Sequence, residues 1–308
     1  EENKYGNIQW GFGRDLLFGA GNNPDAIIFW ARLAVMLFNT LLLFLVYYFL
    51  KKIFGALPSL IAAFFLALSP NVIAHGSLVV FDVPFAFLSL LSISTFSLFL
   101  KDLAENKKFL KNFLIATLFI ALALVTKFQA VLLLPILFLG GMTYILLAKK
   151  KGLLRKYLLF FAIFSALILF FIGLTYAFHT KNMGAEGMRN QIESIYPMEL
   201  KGFGRDFLIQ SALFSPLFRG LTEYLLGIFL VLGRAAGSVQ STYFMGTIYG
   251  SEGAGPAYFP VLFFTKETLG FLMLLFMAGM LSLKGFLKKG EIKQNFWRFF
   301  KNPFNPTV

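Results

Sequence analysis

The sequence predicts an all-α polytopic membrane protein, and three observations carry that prediction. Of 308 residues, 58% are hydrophobic and only 14% charged, with a mean hydropathy of +0.73, far from the balance of a water-soluble domain. The apolar residues gather in runs close to the roughly 20 that a helix needs to cross a hydrocarbon core of about 30 Å. The charges gather between the runs and are sorted by sign. The expected architecture is a transmembrane helical bundle with a helical cap on the extracytoplasmic side.

Residues 1–26 are polar and glycine-rich, with Trp10, Gly11, Gly13, Arg14 and Asn22-Asn23-Pro24-Asp25, and read as an extracytoplasmic loop ending in a helix start at Asp25. Six spans follow within 27–178, at about 27–50, 56–74, 83–100, 109–126, 128–148 and 157–178. Residues 179–259 are too long for a plain connection and read as an extracytoplasmic cap. Within the cap, Leu225–Leu232 is a short apolar piece bracketed by Glu223 and Arg234. Its length suits an interfacial or re-entrant helix, an eighth crossing being the alternative. A seventh span is expected at 260–283 and a cytoplasmic tail at 284–308.

Charge sorting sets the direction of insertion. The linkers at Lys51-Lys52, Lys101–Lys111, Lys149–Lys156 and Lys284–Lys301 hold 17 of the 28 Lys/Arg but only three of the 15 Asp/Glu. By the positive-inside rule this side is cytoplasmic. The remainder of the chain is nearly neutral, so the net charge of +13 reflects topology and not a nucleic-acid partner. The multi-pass chain is expected in the plasma (inner) membrane. No cysteine is present, which excludes disulfides and thiolate metal sites. No signal peptide, internal repeat or Rossmann-type glycine fingerprint is visible.

Candidate site residues stand where charge interrupts apolar sequence. His75 and Asp82 lie seven residues apart in Ala74-His75-Gly76-Ser77-Leu78-Val79-Val80-Phe81-Asp82-Val83-Pro84, and are the candidate catalytic pair. A carboxylate at a membrane boundary is costly unless it faces protein or water. Asp82 is also placed to cap a helix starting near Val83-Pro84. Arg32, Lys127, Lys266 and Glu267 are the other charges at span edges, and the topology puts all of them toward the extracytoplasmic end. Three of these are cationic, the residue type that holds phosphate or pyrophosphate. Arg32 and Lys266 are equally able to snorkel to the interface, and Glu267 reads as a local ion partner of Lys266. Lys127 has little loop to escape into. No cofactor is expected; a divalent cation on His75, His179 and a carboxylate is conceivable, but the spacing matches no established ligand pattern.

These residues resemble the polyprenyl-phosphate-dependent glycosyltransferases of the GT-C fold, the group of the protein O-mannosyltransferases and aminoarabinose transferases. The resemblance rests on Ala31-Arg32-Leu33, on Leu68-Ser69-Pro70-Asn71-Val72-Ile73-Ala74-His75 leading to Asp82, and on Leu124-Val125-Thr126-Lys127-Phe128. It continues in Gly246–Gly250 and in Tyr258-Phe259-Pro260 followed by Lys266. The resemblance implies an inverting transfer from a polyprenyl-phosphate-linked sugar to a hydroxyl of a protein, lipid or glycan acceptor, outside the cytoplasm. It implies Asp82 as a second outer-loop carboxylate, orienting the acceptor or its base, and Arg32 and Lys127 as phosphate ligands. Tyr258 and Lys266 would close the cavity, and Glu252 is a further substrate-binding candidate.

The pattern is departed from in two respects, one being that the family's basic-aromatic segment in its later spans is not seen. The family's principal catalytic acid belongs to an Asp-Glu pair well upstream of the point matching Trp10-Gly11-Phe12-Gly13-Arg14, and Glu1-Glu2 stand too close to it. The chain therefore reads as an internal piece of a longer enzyme or a degenerate relative. A transporter or flippase of lipid-linked glycans, or a non-catalytic membrane scaffold, are the competing expectations.

Overall fold

The computed structural model describes residues 9–195, 203–237, 241–250 and 253–287. It is all-helical apart from one small hairpin. In chain order the helices are α1 (Gln9–Arg14), α2 (Pro24–Phe54), α3 (Ala56–Ala67), α4 (Pro70–Gly76), α5 (Asp82–Ala104), α6 (Leu110–Thr126), α7 (Leu133–Ala148), α8 (Leu153–His179), α9 (Ala185–Ile195), α10 (Phe203–Phe214), α11 (Pro216–Gly237), α12 (Tyr258–Lys266) and α13 (Leu269–Leu287). A π turn (Asp15–Gly19) follows α1, and a 3₁₀ turn (Phe128–Leu132) precedes α7. Strands β1 (Thr242–Phe244) and β2 (Thr247–Tyr249) pair antiparallel, with Tyr243 opposite Ile248.

All seven segments read as crossings are helical, and two of them are bent. The segment at 56–74 is α3 and α4, meeting at 59°. The break falls at Leu68-Ser69-Pro70, where the Pro70 ring opens a helix well but cannot continue one. The segment at 260–283 is α12 and α13, meeting at 113°. Glu267 is extended there, and Thr268 Oγ1 accepts the Phe271 amide at 3.4 Å to start the second helix. The helix α2, the helix α5, the run from Phe128 to Ala148 and the helix α8 are each long and apolar enough to cross a membrane, as is each bent pair taken together. At 17 residues, α6 is a little shorter. The expected tail at 284–308 lies mostly outside the described residues.

The chain divides into two compact units, one comprising the described residues through Ala34 together with Ala166–Ala254, the other Val35–Ser165 together with the described residues from Gly255. In the second unit α5 is the axis. Two thirds of its apolar window, 67%, is buried, against 22–28% for the other straight spans, so α6 and α7 pack around it and their outer faces are left to lipid. Phe96, Phe99, Phe113, Phe160 and Phe164 form a cluster of tilted and edge-on rings between α5, α6 and α8. Buried Ser92, Thr95 and Thr117 return their hydroxyls to carbonyls four residues back, at 2.6–2.8 Å, so no donor is stranded in apolar surroundings. Gly141 on α7 makes room for the buried Tyr157 ring, whose Cζ would lie 2.8 Å from any Cβ placed there. The Tyr157 hydroxyl donates to the Phe138 carbonyl at 2.8 Å.

In the first unit α9, α10 and α11 pack around Met188, Ile192, Leu208, Ile209, Ala212 and Leu226. The apolar piece at Leu225–Leu232 is thus part of a helix of 22 residues, and Glu223 lies within that helix instead of bracketing it. Its carboxylate accepts the Gln191 side-chain amide at 2.8 Å, and burial pushes this carboxyl above the usual range while the hydrogen bond opposes the shift.

Candidate functional site

Helices α5 and α6 run antiparallel because the connection at 105–109 is short, so the first residue of α5 and the residue that ends α6 arrive at the same end of the pair. Those residues are Asp82 and Lys127. The Lys127 ammonium donates to Asp82 Oδ1, forming an ion pair across 45 positions of sequence. Its amine also stands 5.8 Å from the Phe85 ring centroid, a cation–π contact one turn into α5.

Local backbone accounts for both placements. Lys127 is extended, with φ −153° and ψ 132°, between the end of α6 and the 3₁₀ turn. Its amide donates to the Ala123 carbonyl at 3.1 Å, and its carbonyl accepts from Ala130 at 3.0 Å, so both backbone groups of Lys127 are bonded at the break. Asp82 is itself the first helical residue, and the cap position falls to Phe81 with no side-chain cap bond. The expectation that the Asp82 carboxylate caps α5 is therefore corrected: the carboxylate reaches across to Lys127 instead. As a negative charge in the first turn it still favours the helix dipole. The carboxylate side chain is 56% exposed and the lysine 30%, leaving the pair open to a ligand.

His75 is near the end of α4 and exposed. Residues 77–81 between it and Asp82 are non-helical, so the two do not share a helix face. No hydrogen bond or ion pair of the His75 side chain occurs among the described residues. Lys266 closes α12 and is exposed. Its carbonyl accepts from Asn71 Nδ2 at 3.4 Å, which fixes the α12–α13 corner against α4. Lys266 and Glu267 form no ion pair among the described contacts, so the expected local pairing is not made; Glu267 is extended and its amide is tied to Phe263 at 3.1 Å. Tyr258 opens α12, half-buried, its ring 5.1 Å from that of Phe259. Arg32 is exposed on α2 in the other unit. Glu252 lies outside the described residues. Among the described residues no three His, Asp or Glu come together as a metal site.

One residue escaped the sequence reading. Asn39, buried on α2, donates through Nδ2 to the Gly76 carbonyl at 3.0 Å. A Cβ on Gly76 would touch that amide at 3.6 Å and Val83 at 3.9 Å, so Asn39 is wedged between the end of α4 and the start of α5. A lone amide in a span of 31 residues was the available signal.

A sequence model of the family described as dolichyl-phosphate-mannose-protein mannosyltransferase matches residues 20–176, just over half of the chain. The chain belongs to that mannosyltransferase family. The matched segment holds α2 to α7 and nearly all of α8, and with them Arg32, His75, Asp82 and Lys127; Tyr258, Lys266 and the cap lie beyond it. No curated protein and no solved structure matches the chain. As a member of the mannosyltransferase family it is a multi-pass membrane glycosyltransferase with a GT-C-like bundle.

Proposed function

We propose that this mannosyltransferase-family chain moves a sugar from a polyprenyl-phosphate donor to an acceptor hydroxyl, with inversion, on the extracytoplasmic face of the membrane. The observation that supports this most is the Asp82–Lys127 pair, a carboxylate and an ammonium side by side and solvent-accessible at one end of the α5–α6 hairpin. The positive charge of the opposite linkers favours placing that end outside the cytoplasm.

The chemistry needs both signs of charge. The acceptor oxygen attacks the anomeric carbon from the side opposite the phosphate; one C–O bond forms as the bond to the phosphate oxygen breaks, which inverts the configuration. The acceptor hydroxyl must lose its proton to a base, and in this reading Asp82 holds that hydroxyl and draws the proton away. His75 is the second candidate catalytic residue. The departing polyprenyl phosphate gains a negative charge, and the Lys127 ammonium neutralises it in the transition state. A half-exposed ion pair contributes only about 0–1 kcal/mol to stability, which argues that the pair is not kept as a structural clamp and yields readily to a phosphate. Arg32 is a further phosphate candidate, and Tyr258, Lys266 and Glu252 are candidates for enclosing the substrate. The acceptor is a protein, lipid or glycan hydroxyl, and the plasma membrane is the proposed location.

The full-length protein in sealed proteoliposomes, given a polyprenyl-phosphate-linked mannose and a hydroxyl-bearing peptide, tests the reading. Transfer that depends on the donor, with the anomeric configuration of the product opposite to that of the donor by proton NMR, is expected. Retention of configuration, or movement of the lipid-linked sugar across the bilayer with no new glycosidic bond, contradicts it.

A further inference from the structure

Helix α11 has its polarity reversed relative to a helix whose outer face meets water. Its two charged side chains with described surroundings turn inward, toward the other cap helices. Arg219 donates to the Met183 carbonyl at 3.2 Å and to the Ala212 carbonyl at 3.4 Å, and Glu223 is held by Gln191 at 2.8 Å. The residues turned away from the cap core are apolar: Phe218, Leu221, Leu225, Ile228 and Leu232 recur at intervals of three and four and form a single stripe. Phe218 is 44% exposed, Leu225 42% and Leu232 58%. Phe214 extends the stripe onto α10, 79% exposed, its ring 5.7 Å from that of Phe218. Among the described residues nothing covers this apolar ridge of about 21 Å along α11, and such a surface is not one that water tolerates without reason.

The attachment of α11 indicates what covers it. Gly220 lies directly against the backbone of α8: a Cβ there would fall 2.6 Å from the Ala177 amide nitrogen and onto the Gly173 carbonyl oxygen. Leu217 fills the space above Gly173, where a Cβ would meet its Cδ1 at 2.7 Å. Helix α8 is the most apolar of the straight spans, and on this same stretch it exposes Phe170, Leu174 and Phe178, spaced four apart. The stripe on α11 thus begins beside a lipid-facing span. A partner helix seated on the stripe would be registered by charged residues flanking the seam, whereas the flanks here are Thr222, Tyr224, Phe229 and Val231.

We infer that the Phe218–Leu232 stripe of α11 is a lipid-binding surface, its side chains sunk among acyl chains so that the cap is seated in the bilayer and not held above it. The assignment of that bilayer surface to the outer leaflet rests on the topology in the proposed function; contact with lipid does not. These 308 residues hold no cysteine, so, with any cysteine elsewhere in the full-length protein replaced by serine, single nitroxide labels at Phe218→Cys, Leu225→Cys and Leu232→Cys report each position separately. The protein is placed in vesicles of equal parts phosphatidylcholine and phosphatidylglycerol, and collision with oxygen and with a water-soluble nickel chelate is measured. Leu174→Cys on α8 is the lipid reference, and Glu193→Cys on the exposed side of α9 is the water reference. The oxygen-to-nickel accessibility ratio at the three stripe positions should stand several-fold above that at Glu193 and match that at Leu174. A ratio like that of Glu193 overturns the inference in favour of a water-facing cap. Immobilised labels that neither reagent reaches overturn it in favour of a second copy or another protein segment. If one label prevents assembly, the remaining two still decide the outcome. The readout needs neither donor nor transfer, so it stands or falls separately from the proposed reaction.

Discussion

Lys127, in the break after α6, donates to the carboxylate of Asp82, the first residue of α5. In the proposed reaction the donor phosphate competes with Asp82 for the Lys127 ammonium, so donor binding loosens the pair and leaves the carboxylate for the acceptor.

Lys127→Ala should weaken binding of the polyprenyl-phosphate donor by roughly 10- to 100-fold, the value of one hydrogen bond to a charged group. Lys127→Arg should recover most of the loss, since a guanidinium keeps the charge and the donors. Equilibrium binding of radiolabelled donor to the purified protein checks both, and equal affinity in wild type and Lys127→Ala would remove the phosphate role.

Asn39→Leu strands the buried Gly76 carbonyl and should cost about 1–3 kcal/mol of stability. Because Asn39 joins the end of α4 to the start of α5, transfer should fall more steeply than the melting temperature alone would suggest. Thermal denaturation in detergent and initial rates measured well below the melting temperature separate the two effects. Full activity in a destabilised Asn39→Leu protein would show that the wedge is structural only.

Gly220→Ala should loosen the attachment of α11 to α8, since the added methyl meets backbone that cannot move aside, at a cost of roughly 1–3 kcal/mol or more. Gly173→Ala meets the flexible end of Leu217 first, so its effect should be the smaller. Limited proteolysis of the connection between α8 and α9 ranks the two variants, and the reverse order would mean that the contact is not a close backbone crossing.

Much of the membrane fold was legible because its signal is the length of apolar runs, which needs no knowledge of packing. The bends were harder. Pro70 and the Lys266-Glu267-Thr268 corner lie inside runs that are long and apolar enough to pass as single crossings, and a run of the right length says nothing of a 113° turn. Glu223 and Arg234 misled in the opposite way: as charges they bracketed a short apolar piece, whereas α11 passes through both and Glu223 turns inward to Gln191. Asp82 and Lys127 each stood out as an isolated charge, but their pairing was not written in any local pattern. It follows from the antiparallel packing of α5 on α6, a tertiary relationship that brings together residues 45 positions apart. His75 attracted notice by its nearness to Asp82 in sequence; residues 77–81 between them are non-helical, so the two share no helix face.

The single-turnover rate of Asp82→Asn in the full-length enzyme, with donor bound before acceptor is added, tests the central claim most directly. The amide keeps the shape of the carboxylate but gives up its charge and its ability to take a proton. Donor affinity should be unchanged or higher, because Lys127 is released from its partner, while the transfer rate falls by roughly 10²-fold or more. Transfer at the wild-type rate with donor fully bound would contradict the assignment of Asp82 to the reaction.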